Sequence, residues 1–189
     1  MNASRNILLA LGVLALAQTA ALAAMVVDRV RLLATGREIT LPIVPVDPRD
    51  LFRGEYVRLG YSVDTLPVNQ LEGPEPARNA PFYVTLEKQP DGTWKSLKIT
   101  RAMPSDSSPE RVVLKARTRY GWLRPPANGS LLVRYGIESY FVPEGRGREL
   151  EVLAREKKLA ALIAIDRFGN AAIKGLIIDG TLQYEEPLF

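Results

Sequence analysis

Two stretches of this chain crowd carboxylates, arginines and tyrosines closely enough to suggest chemistry. The first, DPRDLFRGEYVRLGY (47–61), sets Asp47, Asp50 and Glu55 among Arg49, Arg53 and Arg58, with Tyr56 and Tyr61 near its end. The second, RYGIESYFVPEGRGRELE (134–151), adds Glu138 and Glu144 beside Tyr135 and Tyr140. Two carboxylates about 5–10 Å apart across a cleft would give a glycan hydrolase its acid and its base or nucleophile. Other routes are narrow. With neither histidine nor cysteine in the chain, Ser-His and Cys-His nucleophiles, imidazole bases and thiolate metal sites are excluded. Any chemistry must rest on carboxylates, lysine, tyrosine, serine or backbone groups.

Local folding accounts for much of the first stretch. Asp47 before Pro48 is an N-cap and first-turn pair, because the carboxylate accepts orphan amides and proline needs no donor. Asp50 then falls at the third helical position, where negative charge favours the helix start. Gly54 can take a positive φ and close the turn. On this reading DPRDLFRG is one capped helical turn, with Leu51 and Phe52 packed inward. Glu55 is in phase with the apolar face of the strand that follows, so it needs a partner. Arg53 is the nearest cation, and a bidentate ion pair is preferred over a catalytic acid. The turn leaves over Arg49, Arg53, Glu55 and Arg58, and Glu55, Tyr56 and Arg58 are unexplained by folding alone.

In the second stretch, alternation puts Glu138 and Tyr140 on one face and Tyr135, Ile137, Ser139 and Phe141 on the other, with Pro143 ending the strand. Glu144-Gly145-Arg146-Gly147 could hold an anion through backbone amides. It lacks the spacing and framing of a nucleotide loop, and a turn is the plainer reading. Arg58 and Glu138 are expected to pair across the two stretches.

The elements that position these residues begin with an apolar run. Ile7 to Val27 carries no charge, and roughly 20 helical residues cover the ~30 Å hydrocarbon layer of a bilayer. A transmembrane helix is the leading reading of residues 7–36, after a short tail (1–6), with Gly36 as its C-terminal cap. Its rival is a cleaved signal peptide, with Arg5 in the n-region and Ala21-Leu22-Ala23 as the cleavage site. Arg29, Arg31 and Arg37 are read as headgroup-level anchors. They favour a cytoplasmic domain by the positive-inside rule, whereas the signal-like start favours an N-terminus inside and the domain outside; the second orientation is adopted.

Residues 37–189 read as one domain. EITLPIVPV is extended, with Pro42, Pro45 and Pro48 suggesting an edge strand or a polyproline-like spacer. EYVRLGYSV (55–63) alternates, placing Val57, Leu59, Tyr61 and Val63 on one face. Residues 64–81 read as a long loop. FYVTLEK and WKSLKIT flank a Pro-Asp-Gly turn, as a hairpin would. RVVLKARTRY follows as a strand, and SLLVRYGIESYFVP as one long strand or two short ones bent at Gly136. A short helix in GRGRELEVLAREKK and two apolar strands around Phe168-Gly169-Asn170 complete the chain. The fold expected is mainly β: a single antiparallel β sandwich or partly closed barrel with one short helix, behind an N-terminal transmembrane helix.

Asp47-Pro48-Arg49-Asp50-Leu51-Phe52-Arg53-Gly54-Glu55-Tyr56-x-x-Leu59-x-Tyr61 resembles the signature of the GDYXXLXY family of membrane-anchored proteins. Tyr135-Gly136-Ile137-Glu138-x-Tyr140-Phe141-Val142-Pro143-Glu144-Gly is similar to that family's second block. Glu55 stands where the family name has Asp, which keeps the charge but lengthens the reach and argues against a geometrically strict role. The resemblance implies an extracytoplasmic domain on a single N-terminal anchor, associated with multi-span membrane proteins, and assigns no activity.

The functional expectation is therefore a single-span, non-catalytic accessory or interaction protein. It would sit in the cell inner membrane with a periplasmic domain and dock an integral membrane partner. Its motif surface would comprise Asp47, Arg49, Asp50, Arg53, Gly54, Glu55, Tyr56, Arg58, Leu59, Tyr61, Tyr135, Gly136, Glu138, Tyr140 and Glu144. The alternative is a carboxylate-dependent envelope hydrolase. No cofactor or metal is called for. The 25 basic against 21 acidic residues are scattered, without the basic, aromatic-interleaved runs of a nucleic-acid binder.

Overall fold

The apolar N-terminal run forms one helix that passes into the sheet through a single glycine. The computed structural model describes residues 2–45, 56–73, 80–105, 108–119, 129–142 and 146–185. Helix α1, Asn2–Thr35, is 34 residues long, about 50 Å at 1.5 Å per residue. Ile7, Leu9, Leu11, Val13, Leu14 and Leu16 are all more than half exposed. At 100° per residue those positions, with the equally exposed Leu22 and Val26, are spread around the circumference, so the helix is apolar all round and suits a hydrocarbon surrounding. The segment Leu9–Thr35 is long and apolar enough to cross a membrane.

Gly36 ends the helix, its N–H donating to the Leu32 carbonyl at 2.9 Å. A Cβ there would stand 2.4 Å from that oxygen and 3.0 Å from the Ile165 nitrogen, so the close approach requires glycine. Strand β1, Arg37–Val44, follows at once. Of the two readings of this proline-spaced run, the edge strand holds over its described part: residues 37–42 of β1 pair on one side with β11, Leu159–Ile165, and among the described residues the other side is joined only at Ile43 and Val44, by β3, Gly60–Tyr61. Proline is tolerated where no ladder donor is needed.

Two larger sheets enclose a common core. The first has the order β13-β12-β11-β1-β3, with β12 at Ala171–Ile178 and β13 at Thr181–Glu185. The second has the order β4-β9-β8-β6-β7-β5. Its strands are β4, Thr65–Pro67; β5, Leu71–Glu72; β6, Phe82–Lys88; β7, Trp94–Thr100; β8, Arg111–Thr118; and β9, Ser130–Arg134. Ile39, Leu41, Ile163 and Leu176 from the first sheet join Phe82, Val84, Leu86, Leu114 and Val133 from the second in one buried cluster. Burying each of these side chains contributes about 1.5–3 kcal/mol. The architecture is an open sandwich of mainly antiparallel strands.

The two sheets also touch through backbone. The Gly169 carbonyl, in the β11–β12 turn, accepts from the Lys115 N–H of β8 at 2.8 Å. At φ +80°, with a Cβ position 3.0 Å from that nitrogen, only glycine fits. The short helix α2, Gly147–Arg155, lies against β1 and β11. Residues 64–81, expected as a loop, carry β4 and the parallel-paired β5. Both are too short to show a sequence period.

Candidate functional site

The two motif stretches meet as a separate two-stranded ribbon. Strand β2, Tyr56–Arg58, runs antiparallel to β10, Ser139–Phe141, with Arg58 opposite Ser139, Val57 opposite Tyr140 and Tyr56 opposite Phe141. The Leu59 N–H continues the pairing to the Glu138 carbonyl at 2.9 Å. Val57, Leu59, Tyr61 and Val63 are all buried, as their alternation predicts. Their strand is nevertheless broken at Leu59, because the chain leaves β10 there and joins β1 through β3.

Alternation fails in the second stretch. Gly136 sits at φ +86°, and this bend resets the phase. Tyr135, Ile137, Tyr140 and Val142 are buried, whereas Phe141 is 74% exposed. Tyr140 is thus a core residue, and Ser139 and Phe141 do not share the face of Tyr135 and Ile137.

Across the junction, the two tyrosines brace each other's strand. The Tyr61 hydroxyl donates to the Ile137 carbonyl at 2.8 Å, and the Tyr135 hydroxyl donates to the Val63 carbonyl at 2.6 Å. Burial, reinforced by Asp64 and Glu138, holds both phenols well above the usual tyrosine range. They are neutral donors near neutral pH.

Glu138 closes the bend it belongs to. Its carboxylate accepts from the Tyr135 N–H, and from the Gly136 N–H at 3.2 Å and 3.1 Å to its two oxygens. Asp64 does the same on the other side, its Oδ2 accepting from the Tyr61 N–H at 2.8 Å. Its Oδ1 is buried with no donor among the described residues. Burial raises the Asp64 carboxyl from 3.8 to about 7, opposed by the Tyr61 amide, assisted by the Glu138 charge and again opposed by Arg119. Asp64 is therefore a carboxyl half-protonated near neutrality.

Arg58, Asp64, Arg119, Arg134, Glu138 and Ser139 line one recess of about 240 Å³. Arg58 and Glu138, expected to pair, thus share one recess. A neighbouring recess of about 480 Å³ shares Arg134 and Glu138 and adds Lys115 and Arg117. Asp64 and Arg119 were not legible as site residues beforehand. The available signal for Asp64 was its place three residues after Tyr61, the spacing of a carboxylate that caps a short helical turn. Arg119 reaches the site only through the sheet topology.

Asp47, Arg49, Asp50, Arg53, Gly54, Glu55 and Glu144 lie outside the described residues, and with them the capped turn, the Arg53–Glu55 pair and the glycine-flanked anion loop. Tyr56 is described through its backbone pairing alone. Among the described residues, no group of three or more carboxylates is placed to hold a metal ion.

A family model described as GDYXXLXY protein matches residues 18–176. No curated protein and no solved structure matches the chain.

Proposed function

The chain belongs to the GDYXXLXY family, and from that premise we propose that it is a single-span accessory protein whose β domain docks an integral membrane partner. The observation that carries this reading is the single-residue junction at Gly36. A sandwich joined to its span by one glycine is held at the bilayer surface in a fixed attitude. That suits a domain whose counterpart lies in the same membrane. The β2–β10 ribbon, with Phe141 exposed beside Arg58 and Ser139, is the docking face; exposed aromatics and arginines are the residues that anchor interfaces.

The protonation chemistry of the ribbon supports a structural role. Glu138 is held by two amides of its own bend, and both tyrosine hydroxyls donate to carbonyls. A periplasmic domain in the inner membrane completes the proposal, in keeping with the signal-like start of the chain. Copurification of the full chain from mild detergent tests it: a stoichiometric multi-span protein is expected with the wild type and is lost with Arg58→Glu.

A second reading has one observation in its favour. Asp64 and Glu138 line the same recess, and a carboxyl raised to about 7 beside a second carboxyl is the kind of pair a hydrolase uses for acid and base. On that reading the purified chain alone would hydrolyse an envelope glycan, and Asp64→Asn would abolish the activity.

A further inference from the structure

A groove of about 640 Å³ opens where the helix meets the domain. Asp28, Arg31, Leu32 and Thr35 of α1 form one wall. The rest of the lining comes from Met103 to Ser105, from the start of β8 at Arg111, and from the β11–β12 turn at Arg167 and Phe168. Asp28 is the first charge after the apolar run, so it marks the edge of the hydrocarbon layer. Asp28 to Thr35 then rises about 10 Å, through the headgroup zone of roughly 5–8 Å and just past it. The groove therefore opens at headgroup depth.

Its arginines divide into two kinds. Arg37 donates to the carbonyls of Ser108 and Arg111, at 3.3 and 2.7 Å, and to that of Pro109, and its guanidinium lies 6.0 Å from the centre of the Trp94 ring. It is a structural clamp, its guanidinium committed to backbone carbonyls. Arg111 is paired with Glu87 at 2.9 Å. Arg31 and Arg167 both line the groove, from α1 and from the β11–β12 turn, and no ion pair to a carboxylate holds either one among the described residues. Arg167 stacks over Phe168 at 4.7 Å, and Phe168 is 56% exposed beside an exposed Met103. An exposed aromatic next to an arginine at headgroup depth matches the belt residues of membrane proteins.

Two guanidinium groups lining one groove at that depth, without a carboxylate partner among the described residues, complement a phosphodiester; of the two aspartates that also line it, Asp166 is engaged with the amides of Phe168 and Asn170. We infer that the groove binds the headgroup of an anionic phospholipid, its phosphate between Arg31 and Arg167, with Phe168 and Met103 entering the interface beside it. This inference rests on α1 spanning the bilayer.

The test uses the full chain in nanodiscs of phosphatidylcholine, with and without phosphatidylglycerol, and native mass spectrometry of the lipid retained. Selective retention of phosphatidylglycerol is expected. Arg31→Gln and Arg167→Gln should each reduce it roughly fivefold, the Boltzmann equivalent of about 1 kcal/mol per juxtamembrane cation, while Lys157→Gln, exposed in the turn before β11 and at the other end of that strand from Arg167, leaves it unchanged. Equal retention of both lipids overturns the inference and leaves the span intact. So does an equal loss in the Lys157→Gln control, or displacement of the lipid by inorganic phosphate, which would mark a soluble-anion site. Recovery of the chain outside the nanodiscs overturns the spanning helix as well.

Discussion

Tyr61 and Tyr135 hold each other's strand, each hydroxyl donating to a backbone carbonyl that lies two residues beyond the other tyrosine. Neither bond is local: the partners are 76 and 72 residues apart in sequence. The reciprocal arrangement ties the first motif stretch to the second at the point where the ribbon leaves the sandwich.

Removing either hydroxyl leaves a buried carbonyl unpaired. Tyr61→Phe and Tyr135→Phe are each expected to destabilise the protein by about 1–3 kcal/mol. The double variant should lose less than the sum, because breaking one bond already loosens the strand that the other secures. A double-mutant cycle by denaturant unfolding of the detergent-solubilised chain measures this, and strict additivity would show that the bonds act independently.

Glu138 differs from a catalytic carboxylate in what replaces it. Glu138→Gln keeps an oxygen for the Tyr135 and Gly136 amides and should cost about 1 kcal/mol, whereas Glu138→Ala leaves both amides without an acceptor and costs about 2–3 kcal/mol. Hydrogen exchange at those two amides should quicken markedly in the alanine variant and only slightly in the glutamine variant. A catalytic carboxylate would reverse the emphasis, with Gln abolishing activity at no cost to exchange protection.

Asp64 predicts a pH dependence of stability. Its native carboxyl holds a proton up to about 7, while in the unfolded chain it ionises near 3.8. Between those values the native state binds more protons than the unfolded one, so stability falls as pH rises. The contribution is complete below about pH 4 and gone above about pH 7, with a slope approaching 1.4 kcal/mol per pH unit between. Asp64→Asn should flatten the profile across that window, as chemical denaturation at a series of pH values would show.

At the membrane junction, Gly36→Ala forces a methyl group against the Leu32 carbonyl oxygen and the Ile165 nitrogen. A loss of about 1–3 kcal/mol is expected from such overpacking. Electron paramagnetic resonance distances between labels on α1 and β12 should broaden, since the cysteine-free chain permits clean single-site labelling. Unchanged distances with unchanged stability would remove the rigid junction.

The strands with a long apolar period were legible in advance, and those defined by topology were not. Val57, Leu59, Tyr61 and Val63 announce their burial by alternation, and the β6–β7 hairpin by its Pro-Asp-Gly turn. The break at Leu59 has no such mark, because it records a change of pairing partner, from β10 to β1, that no local pattern encodes. Gly136 was recognisable as a bend, but the phase reset it imposes on Tyr140 and Phe141 depends on its φ of +86°. Thr65–Pro67 and Leu71–Glu72 form strands of three and two residues, shorter than any period can reveal. At the site, Arg58 and Glu138 were readable as unassigned charges within the motifs. Asp64 and Arg119 were not, because what makes them matter is burial beside Glu138 and a strand order in which β8 and β4 flank β9.

The docking face is tested most directly by site-specific photocrosslinking in native membranes, from a photoreactive residue at position 141 of the full chain. One dominant adduct with a multi-span membrane protein is expected, lost when Arg58→Glu is added and retained with Lys95→Gln. A chain that yields no adduct from position 141, or the same adducts with Arg58→Glu, would contradict it.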